Sequence, residues 1–123
     1  PLVVNIVSFG YRGGIPAEAD LLFDVRFLPN PHFVPGLREQ TGRDAAVCDY
    51  LEAQEEYGET LERLGDLLAF LLPRYRRENR SYVTIAVGCT GGRHRSVAIV
   101  ERLRETLEAA GWSVRTVHRD VTQ

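Results

Sequence analysis

The stretch YVTIAVGCTGGRHRS, residues 82–96, decides how the rest of the chain is interpreted. Residues 82–87 are a run of apolar and β-branched side chains, which predicts a buried strand. The glycines at positions 88, 91 and 92 predict a tight loop after that strand. A helix is predicted to follow from about Arg95 to Ala110, because one face carries apolar residues at helical spacing. The stretch therefore predicts a strand, a glycine-rich loop and a helix in succession.

Trp112 to Val117 extends the pattern, since it predicts a last strand after a helix-ending glycine at position 111. A strand, a helix and a second strand form a βαβ unit, which implies parallel pairing and a right-handed crossover. Upstream, strands are predicted at residues 2–9 and 21–27, and helices at 45–55 and 59–77. Pro73 is expected to end or kink the longer helix. Residues 10–16 and 28–36 are predicted loops because of their glycines and prolines.

These elements predict a single α/β domain covering residues 1–123. The expected architecture is three-layer-like, with a mainly parallel sheet and a phosphate-binding loop between strand and helix. A chain of 123 residues has room for one core only. No Met is present and the chain begins at Pro1, as expected of a domain cut from a longer protein or of a trimmed small protein.

Composition narrows the class of protein. Hydrophobic residues make up 44% and charged residues 26%, which is ordinary for a globular domain. No apolar run approaches the ~18 residues that a membrane span needs, and no leader pattern opens the chain, so we expect a cytoplasmic protein without membrane contact. Cys48 and Cys89 belong to no Cys-x2-Cys pair, so neither a zinc site nor a disulfide framework is expected. We predict no metal and no cofactor.

Charge argues in two directions. The net charge of −2 disfavours a uniformly basic surface for nucleic acid. All 15 basic residues are arginines, and arginine suits bidentate contact with phosphate, although the base composition of a genome also favours arginine. Local clusters at residues 74–80 and 93–95 remain candidates for anion contacts.

The loop at residues 88–96 combines three features of an anion site. It follows the carboxyl end of a buried strand, where ligands bind in open α/β sheets. Its glycines allow successive amides to turn inward as a nest, and the next helix points its positive end at the same place. Arg95 and Ser96 add a planar cation and a hydroxyl. The pattern predicts a phosphate-binding loop.

Two other interpretations fit the same residues. The spacing of Cys89, Arg95 and Ser96 matches the Cys-x5-Arg-Ser/Thr loop of tyrosine-phosphatase-like enzymes, in which the cysteine is the nucleophile. In this interpretation Asp24 would donate the proton. Against it, Gly88 stands where such enzymes carry His, and a strand residue is poorly placed as an acid. The plainer interpretation makes Cys89 a small buried hydrophobe, Asp24 a structural partner of Arg26, and Arg93 with His94 solvated loop residues.

Longer blocks then carry a family resemblance. Five blocks of the sequence resemble the C-terminal domain of RapZ-type RNase adaptor proteins. They are FDVRFLPNPH at residues 23–32, GCTGG-x-HRS at 88–96, the shorter SFG at 8–10, Thr41-Gly42 and the late His118-Arg119. The resemblance runs from about residue 4 to 120. It implies a non-enzymatic domain that senses glucosamine-6-phosphate, a phosphorylated amino sugar. It also implies contacts with small regulatory RNA and an endoribonuclease, and a homo-oligomer, often a tetramer.

The resemblance also implies the pocket. It carries over Asp24, His32, Cys89, Thr90, Gly91 and Arg95, and with Gly92 and Ser96 of the same loop these form the predicted ligand-binding set. The loop amides, Thr90 and Arg95 would hold the phosphate. Asp24 and His32 would meet hydroxyl or ammonium groups of the sugar.

The chain departs from the family pattern in two places. No GxxxxGK[ST] nucleotide loop is present, so we predict no ATP or GTP hydrolysis by this chain. We also expect this chain to lack the basic tail that some members use for RNA, since the sequence ends in DVTQ. RNA contact would then need an oligomer that gathers arginines into one patch, and the candidates are Arg74, Arg76, Arg77, Arg80 and Arg119. An RNA-binding module with a secondary anion pocket is therefore a third interpretation.

Overall fold

The computed structural model describes residues 1–121, and within them the chain forms a four-stranded sheet with three α-helices. The strands are β1 (Val3–Gly10), β2 (Leu21–Asp24), β3 (Tyr82–Cys89) and β4 (Ser113–His118). The α-helices are α1 (Ala45–Glu52), α2 (Glu55–Arg77) and α3 (Arg95–Ala109), and short 3₁₀ turns cover Tyr11–Gly13 and Pro31–Phe33. This confirms an α/β fold with a parallel sheet.

Strand order explains where a site can form. The order is β2-β3-β1-β4, and every neighbouring pair is parallel. The two central strands pair along their whole length, from Val3 opposite Tyr82 to Gly10 opposite Cys89. All four strands therefore end at the same side of the sheet, which we call the carboxyl edge. The opposite side, where Tyr82 and Ser113 begin their strands, is the amino edge.

The main core joins one face of this sheet to the helices. Val4 and Ile6 of β1 lie in register with Val83 and Ile85 of β3, and all four are fully buried. Their cluster includes buried residues from each of the three helices, so the helical layer is built on this face. Burial of these apolar side chains is the dominant stabilising term. No helix within residues 1–121 has the length and apolar character needed to cross a bilayer.

The second strand is shorter than the predicted 21–27. It ends at Asp24, whose carboxylate accepts a hydrogen bond from the amide of Arg26 at 2.9 Å. The amide of Val25 still donates to the carbonyl of Gly88 at 2.9 Å, and the local turn at Asp24 and Arg26 then competes with the ladder for residues 26–28. The remaining strands and α3 match their predicted ranges to within two residues, and Gly111 has the positive φ of 94° that ends α3.

The two earlier helices differ from their predicted ranges. The first ends at Glu52, not residue 55, and the second begins at Glu55, not residue 59. Pro73 does not end α2, which continues to Arg77. Asp44 occupies the N-cap position of α1, but its carboxylate accepts the amide of Thr41 instead of a helix amide.

Candidate functional site

A cavity of about 370 Å³ opens at the carboxyl edge, directly above the end of β3. One wall is the glycine-rich loop, residues 89–95, and the facing wall comes from the proline-rich segment and the residues after it. The lining residues are Arg12, Asn30, His32, Phe33, Arg38, Glu39, Cys89, Thr90, Gly91, Gly92, Arg93, His94 and Arg95. Six of the eight predicted ligand residues are thus brought together, while Asp24 and Ser96 do not line the cavity.

Two close backbone approaches fix the shape of the loop. A Cβ placed on Gly92 would lie 2.5 Å from the amide nitrogen of Gly10, and Gly92 has a φ of 78°. On the other side, the amide of Gly42 donates to the carbonyl of Arg93 at 2.8 Å, and a Cβ on Gly42 would collide with the carbonyl of His94. Because neither contact leaves room for a side chain, the loop packs closely on β1 on one side and on Gly42 on the other.

Arg95 is the central cation of the site. It is only 3% exposed, and its Nη1 donates to the carbonyls of Arg26 at 2.7 Å and Leu28 at 2.9 Å. Nη2 makes a long contact of 3.4 Å with the hydroxyl of Thr90, and Nε is buried without an acceptor in residues 1–121. A buried unsatisfied donor costs roughly 1–3 kcal/mol, so an anion that reaches Nε and Nη2 would relieve that cost. Nη1 of the guanidinium is therefore anchored, whereas Nε is a donor without an acceptor among the described residues.

The backbone beside Arg95 presents further donors. Within residues 1–121, the amides of Thr90, Gly91 and Gly92 donate no hydrogen bond to another backbone or side-chain group, whereas the carbonyl of Thr90 accepts from Arg12 at 3.2 Å. The cavity lies at the start of α3, whose dipole is positive there. The three amides are thus donors without a protein acceptor in the described part of the chain, in a loop that lines the cavity.

The charge of the lining is strongly positive although the chain carries −2 overall. Four arginines line the cavity against a single carboxylate, Glu39. Two of them also tie the far wall: Arg38 Nε donates to the carbonyl of His32 at 3.3 Å, and Arg93 Nη2 donates to the carbonyl of Glu39 at 3.0 Å. The cavity therefore favours an anionic ligand.

Cys89 and Ser96 form a buried pair beneath the loop. The Sγ of Cys89 and the Oγ of Ser96 are 3.2 Å apart, and both residues are at most 2% exposed. Cys89 lines the cavity, but Ser96 only supports it from behind. Ser96 was predicted as a ligand contact; in the structure its hydroxyl contacts the thiol of Cys89.

His94 is more buried than a solvated loop residue. Its Nε2 lies 3.1 Å from the carbonyl of Leu37, so this ring nitrogen donates a hydrogen bond there. Burial lowers the pKa of His94 below its ordinary value, because the charged form would lose hydration. The histidine thus joins α3 to the far wall of the cavity.

Asp24 does not line the cavity, and its carboxylate is paired with Arg26. Arg26 donates to both oxygens, with the shortest bond, from Nη2, at 2.7 Å. This ion pair keeps the pKa of Asp24 below its usual range. The guanidinium of Arg26 also covers the ring of Tyr11 at 3.7 Å. The carboxylate of Asp24 is therefore a partner of Arg26, as in the plainer interpretation of the sequence.

Sequence reasoning missed several lining residues. Arg12, Asn30, Phe33, Arg38 and Glu39 were not predicted, because they lie in loops without a spacing pattern. Asn30 belongs to the family block, and it caps the Pro31–Phe33 turn by accepting the amide of His32 at 3.1 Å. Phe33 is 76% exposed at the mouth of the cavity, which an aromatic in a long ordered loop could have signalled.

The predicted RNA arginines do not form one surface on the chain. Arg74, Arg76 and Arg77 end α2 at the amino edge, whereas Arg119 follows β4 at the carboxyl edge. No cluster of three or more potential metal ligands occurs in the part of the chain that the structure describes.

Fold and site together define a parallel α/β domain with a cationic cavity at the carboxyl edge. Residues 2–122 match the family described as the RapZ C-terminal domain, and the chain belongs to that family. Among curated relatives, a nucleotide-binding protein of Anaeromyxobacter sp. (strain K) is 58% identical over 98% of this chain. Nucleotide-binding proteins of Geobacter sulfurreducens and Syntrophotalea carbinolica are 57% and 55% identical, over 98% and 100% of it. The chain spans only 41–43% of the length of these relatives.

Proposed function

We propose that this domain is a sensor that binds a small phosphorylated amino sugar of the glucosamine-6-phosphate type and does not turn it over. The observation that carries the proposal is the buried Arg95, whose Nε has no acceptor in residues 1–121 while Nη1 is anchored on two carbonyls. A guanidinium edge fixed in this way suits two phosphoryl oxygens.

The remaining phosphoryl oxygens would be met by the amides of Thr90, Gly91 and Gly92. These donors belong to a loop that is already held in shape by Gly10 and Gly42, so binding would cost little ordering entropy. His32 and Glu39 line the same cavity and would face the sugar. A carboxylate among four arginines gives an ammonium group a partner. In this proposal Glu39 takes the place that the resemblance gave to Asp24.

A binding role is favoured over turnover by the surroundings of the cysteine. Asp24 is engaged by Arg26 and outside the cavity, so the proton donor of the phosphatase interpretation is missing from its expected place. The longer relatives are named as nucleotide-binding proteins. Because a nucleotide also carries phosphoryl groups, a mononucleotide is the natural competitor to test in the same cavity.

Isothermal titration calorimetry tests the proposal directly. We expect the domain to bind glucosamine-6-phosphate, to bind glucose-6-phosphate and AMP more weakly, and to show no binding of glucosamine. Arg95→Ala should weaken binding by about 10- to 100-fold, as the loss of one or two charge-assisted bonds predicts. Unchanged affinity in that variant, or equal binding of glucosamine without phosphate, would contradict a phosphate site at this loop.

A phosphate-release assay addresses the enzymatic alternative. The wild-type domain and Cys89→Ser should both leave glucosamine-6-phosphate intact. Turnover that disappears in Cys89→Ser would replace the sensor with a cysteine-dependent phosphatase.

A second candidate function is RNA contact at the end of α2, as part of a homo-oligomer that presents a small regulatory RNA to an endoribonuclease. The observation that favours it is a row of arginines next to aromatic rings: Arg74 covers Phe70 at 3.7 Å, and Arg76 covers Trp112 at 4.8 Å. Such pairs suit both phosphate contact and base stacking. A gel shift with structured RNA at two salt concentrations should show binding that Arg74→Ala with Arg77→Ala weakens; no shift at low salt would exclude it for this domain.

A further inference from the structure

Arg119 and Asp120, which follow β4, lie behind the glycine-rich loop. The carboxylate of Asp120 accepts the amide of Gly10 through Oδ2 at 2.6 Å. Arg119 Nη2 donates to the same oxygen at 2.9 Å and to the carbonyl of Gly10 at 3.1 Å. Both polar groups of the Gly10 backbone are thus held by the segment that follows β4.

Gly10 in turn is the residue against which the loop rests. A Cβ on Gly10 would lie 2.4 Å from the carbonyl carbon of Gly91 and 2.8 Å from the amide nitrogen of Gly92. A Cβ on Gly92 would lie 3.0 Å from the Cβ of Asp120. Asp120, Gly10 and Gly92 are therefore packed in series, with the cavity on the far side of the loop.

We propose that Asp120, held by Arg119, is a positioning residue for the glycine-rich loop at residues 89–95. The segment at residues 119–121 would then set the affinity of the cavity for its phosphorylated ligand. Asp120 does not line the cavity, so its effect passes through Gly10 to the amides of Gly91 and Gly92. This inference rests on the proposed function, because it assigns a control point to the same ligand site.

The physical reason is preorganisation. Three neighbouring amides converge on one anion only if the loop keeps its conformation without the ligand, and any loosening must be reversed when the ligand binds. Because coupling between two sites is reciprocal, a segment that favours ligand binding must itself be stabilised when the ligand is present. Displacement of residues 119–121 by a partner would therefore release the ligand.

The chain contains a matched control for Asp120. Asp20 also accepts a backbone amide, that of Thr84, at 2.8 Å, and it pairs with Arg80 at 2.8 Å. The side chains of Asp20 and Asp120 are similarly exposed, at 34% and 28%. Asp20 precedes β2 and does not line the cavity. It therefore serves as a control whose carboxylate stabilises the fold, whereas the carboxylate of Asp120 is proposed to position the loop as well.

The experiment measures affinity for glucosamine-6-phosphate and the melting temperature in the same variants. Asp120→Ala should weaken binding by about tenfold, and Asp120→Asn should recover part of the loss because its amide oxygen still accepts from Gly10. Asp20→Ala should lower the melting temperature to a similar extent and leave the affinity unchanged. Equal affinity in Asp120→Ala and Asp20→Ala would overturn the inference; should Asp120→Ala not fold, Asp120→Asn against Asp20→Asn gives the same comparison.

Hydrogen exchange supplies a readout that stability alone would not move. In the wild type, the ligand should slow exchange of the Gly10 amide, which Asp120 holds, relative to the Thr84 amide, which Asp20 holds. Identical ligand effects on the two amides would count against the coupling. Failure of the wild-type domain to bind any phosphorylated ligand would overturn the proposed function itself, and a binding wild type with an unaffected Asp120→Ala variant would overturn this inference alone.

Discussion

The two edges of the sheet are both rich in arginine, yet they use it differently. At the carboxyl edge, Arg95 is 3% exposed and anchored on two carbonyls beside a glycine loop. At the amino edge, Arg76 lies over an indole ring and Arg80 pairs with Asp20 at 2.8 Å, and both stay partly in solvent. Fixed, partly desolvated donors bind anions far better than flexible exposed ones. The number of arginines in a segment therefore does not locate the site.

Glycine substitutions should show the largest difference between the edges. Gly92→Ala combines a positive φ with a collision against Gly10, so we expect the free energy of unfolding to fall by about 3 kcal/mol or more. Gly111→Ala, at the amino edge, has a similar φ and open space around it, so about 1 kcal/mol should be lost. Urea denaturation of both variants measures the two values. Equal losses would mean that the packing of the loop on β1 contributes nothing.

Arginine-to-lysine substitutions come next in size. Arg95→Lys keeps the charge but loses the planar edge and one or both carbonyl anchors, so affinity for glucosamine-6-phosphate should fall about tenfold. Arg76→Lys makes the same chemical change at the amino edge and should leave the affinity as it is. Calorimetry on the two variants tests whether geometry or charge alone holds the ligand. Retention of full affinity in Arg95→Lys would favour charge alone.

Serine-to-alanine substitutions should give a smaller effect. Ser96→Ala removes the buried contact with Cys89 and should cost about 1 kcal/mol of unfolding free energy. Ser113→Ala, at the exposed start of β4, should change stability by less than about 0.5 kcal/mol. Thermal or urea unfolding distinguishes them. An unchanged free energy of unfolding in Ser96→Ala would show that the hydroxyl does not stabilise the base of the loop.

The smallest effect concerns pH. Burial depresses the folded-state pKa of His94 below 6.5, so the unfolded chain takes up a proton first as the pH falls. Stability should therefore decline below about pH 6.5 and level off once the folded state is also protonated. The difference between the wild type and His94→Gln, followed by urea unfolding from pH 7.5 to 5, isolates this contribution. A difference that is constant over that range would contradict the assignment of a neutral, buried imidazole.

Local patterns predicted much of this structure. The apolar run at residues 82–87, the glycines that follow it and the periodic face of α3 predicted the βαβ unit and the loop within two residues. These signals are local, because strand propensity, glycine conformations and helical periodicity all act over a few neighbours. The same loop also indicated Cys89, Thr90 and Arg95 as neighbours of one cavity.

The rest depended on contacts between distant residues. Nothing near Asp24 in the sequence distinguishes a ligand contact from a partner of Arg26, and the turn that Arg26 forms also shortens β2. Likewise, the facing wall at Arg38 and Glu39 carries no spacing pattern, so only the folded chain brings it to the loop.

By itself, then, the sequence determined a parallel α/β domain and the position of its glycine-rich loop, because both follow from interactions between near neighbours. Tertiary structure alone decided which nitrogen of the Arg95 guanidinium is anchored on carbonyls and which carboxylate lines the cavity. It also decided that Asp120 holds Gly10 across 110 residues of chain. The contact of Asp120 with Gly10 is set by the parallel pairing of β1 with β4, which brings together groups whose distance in sequence carries no local signal.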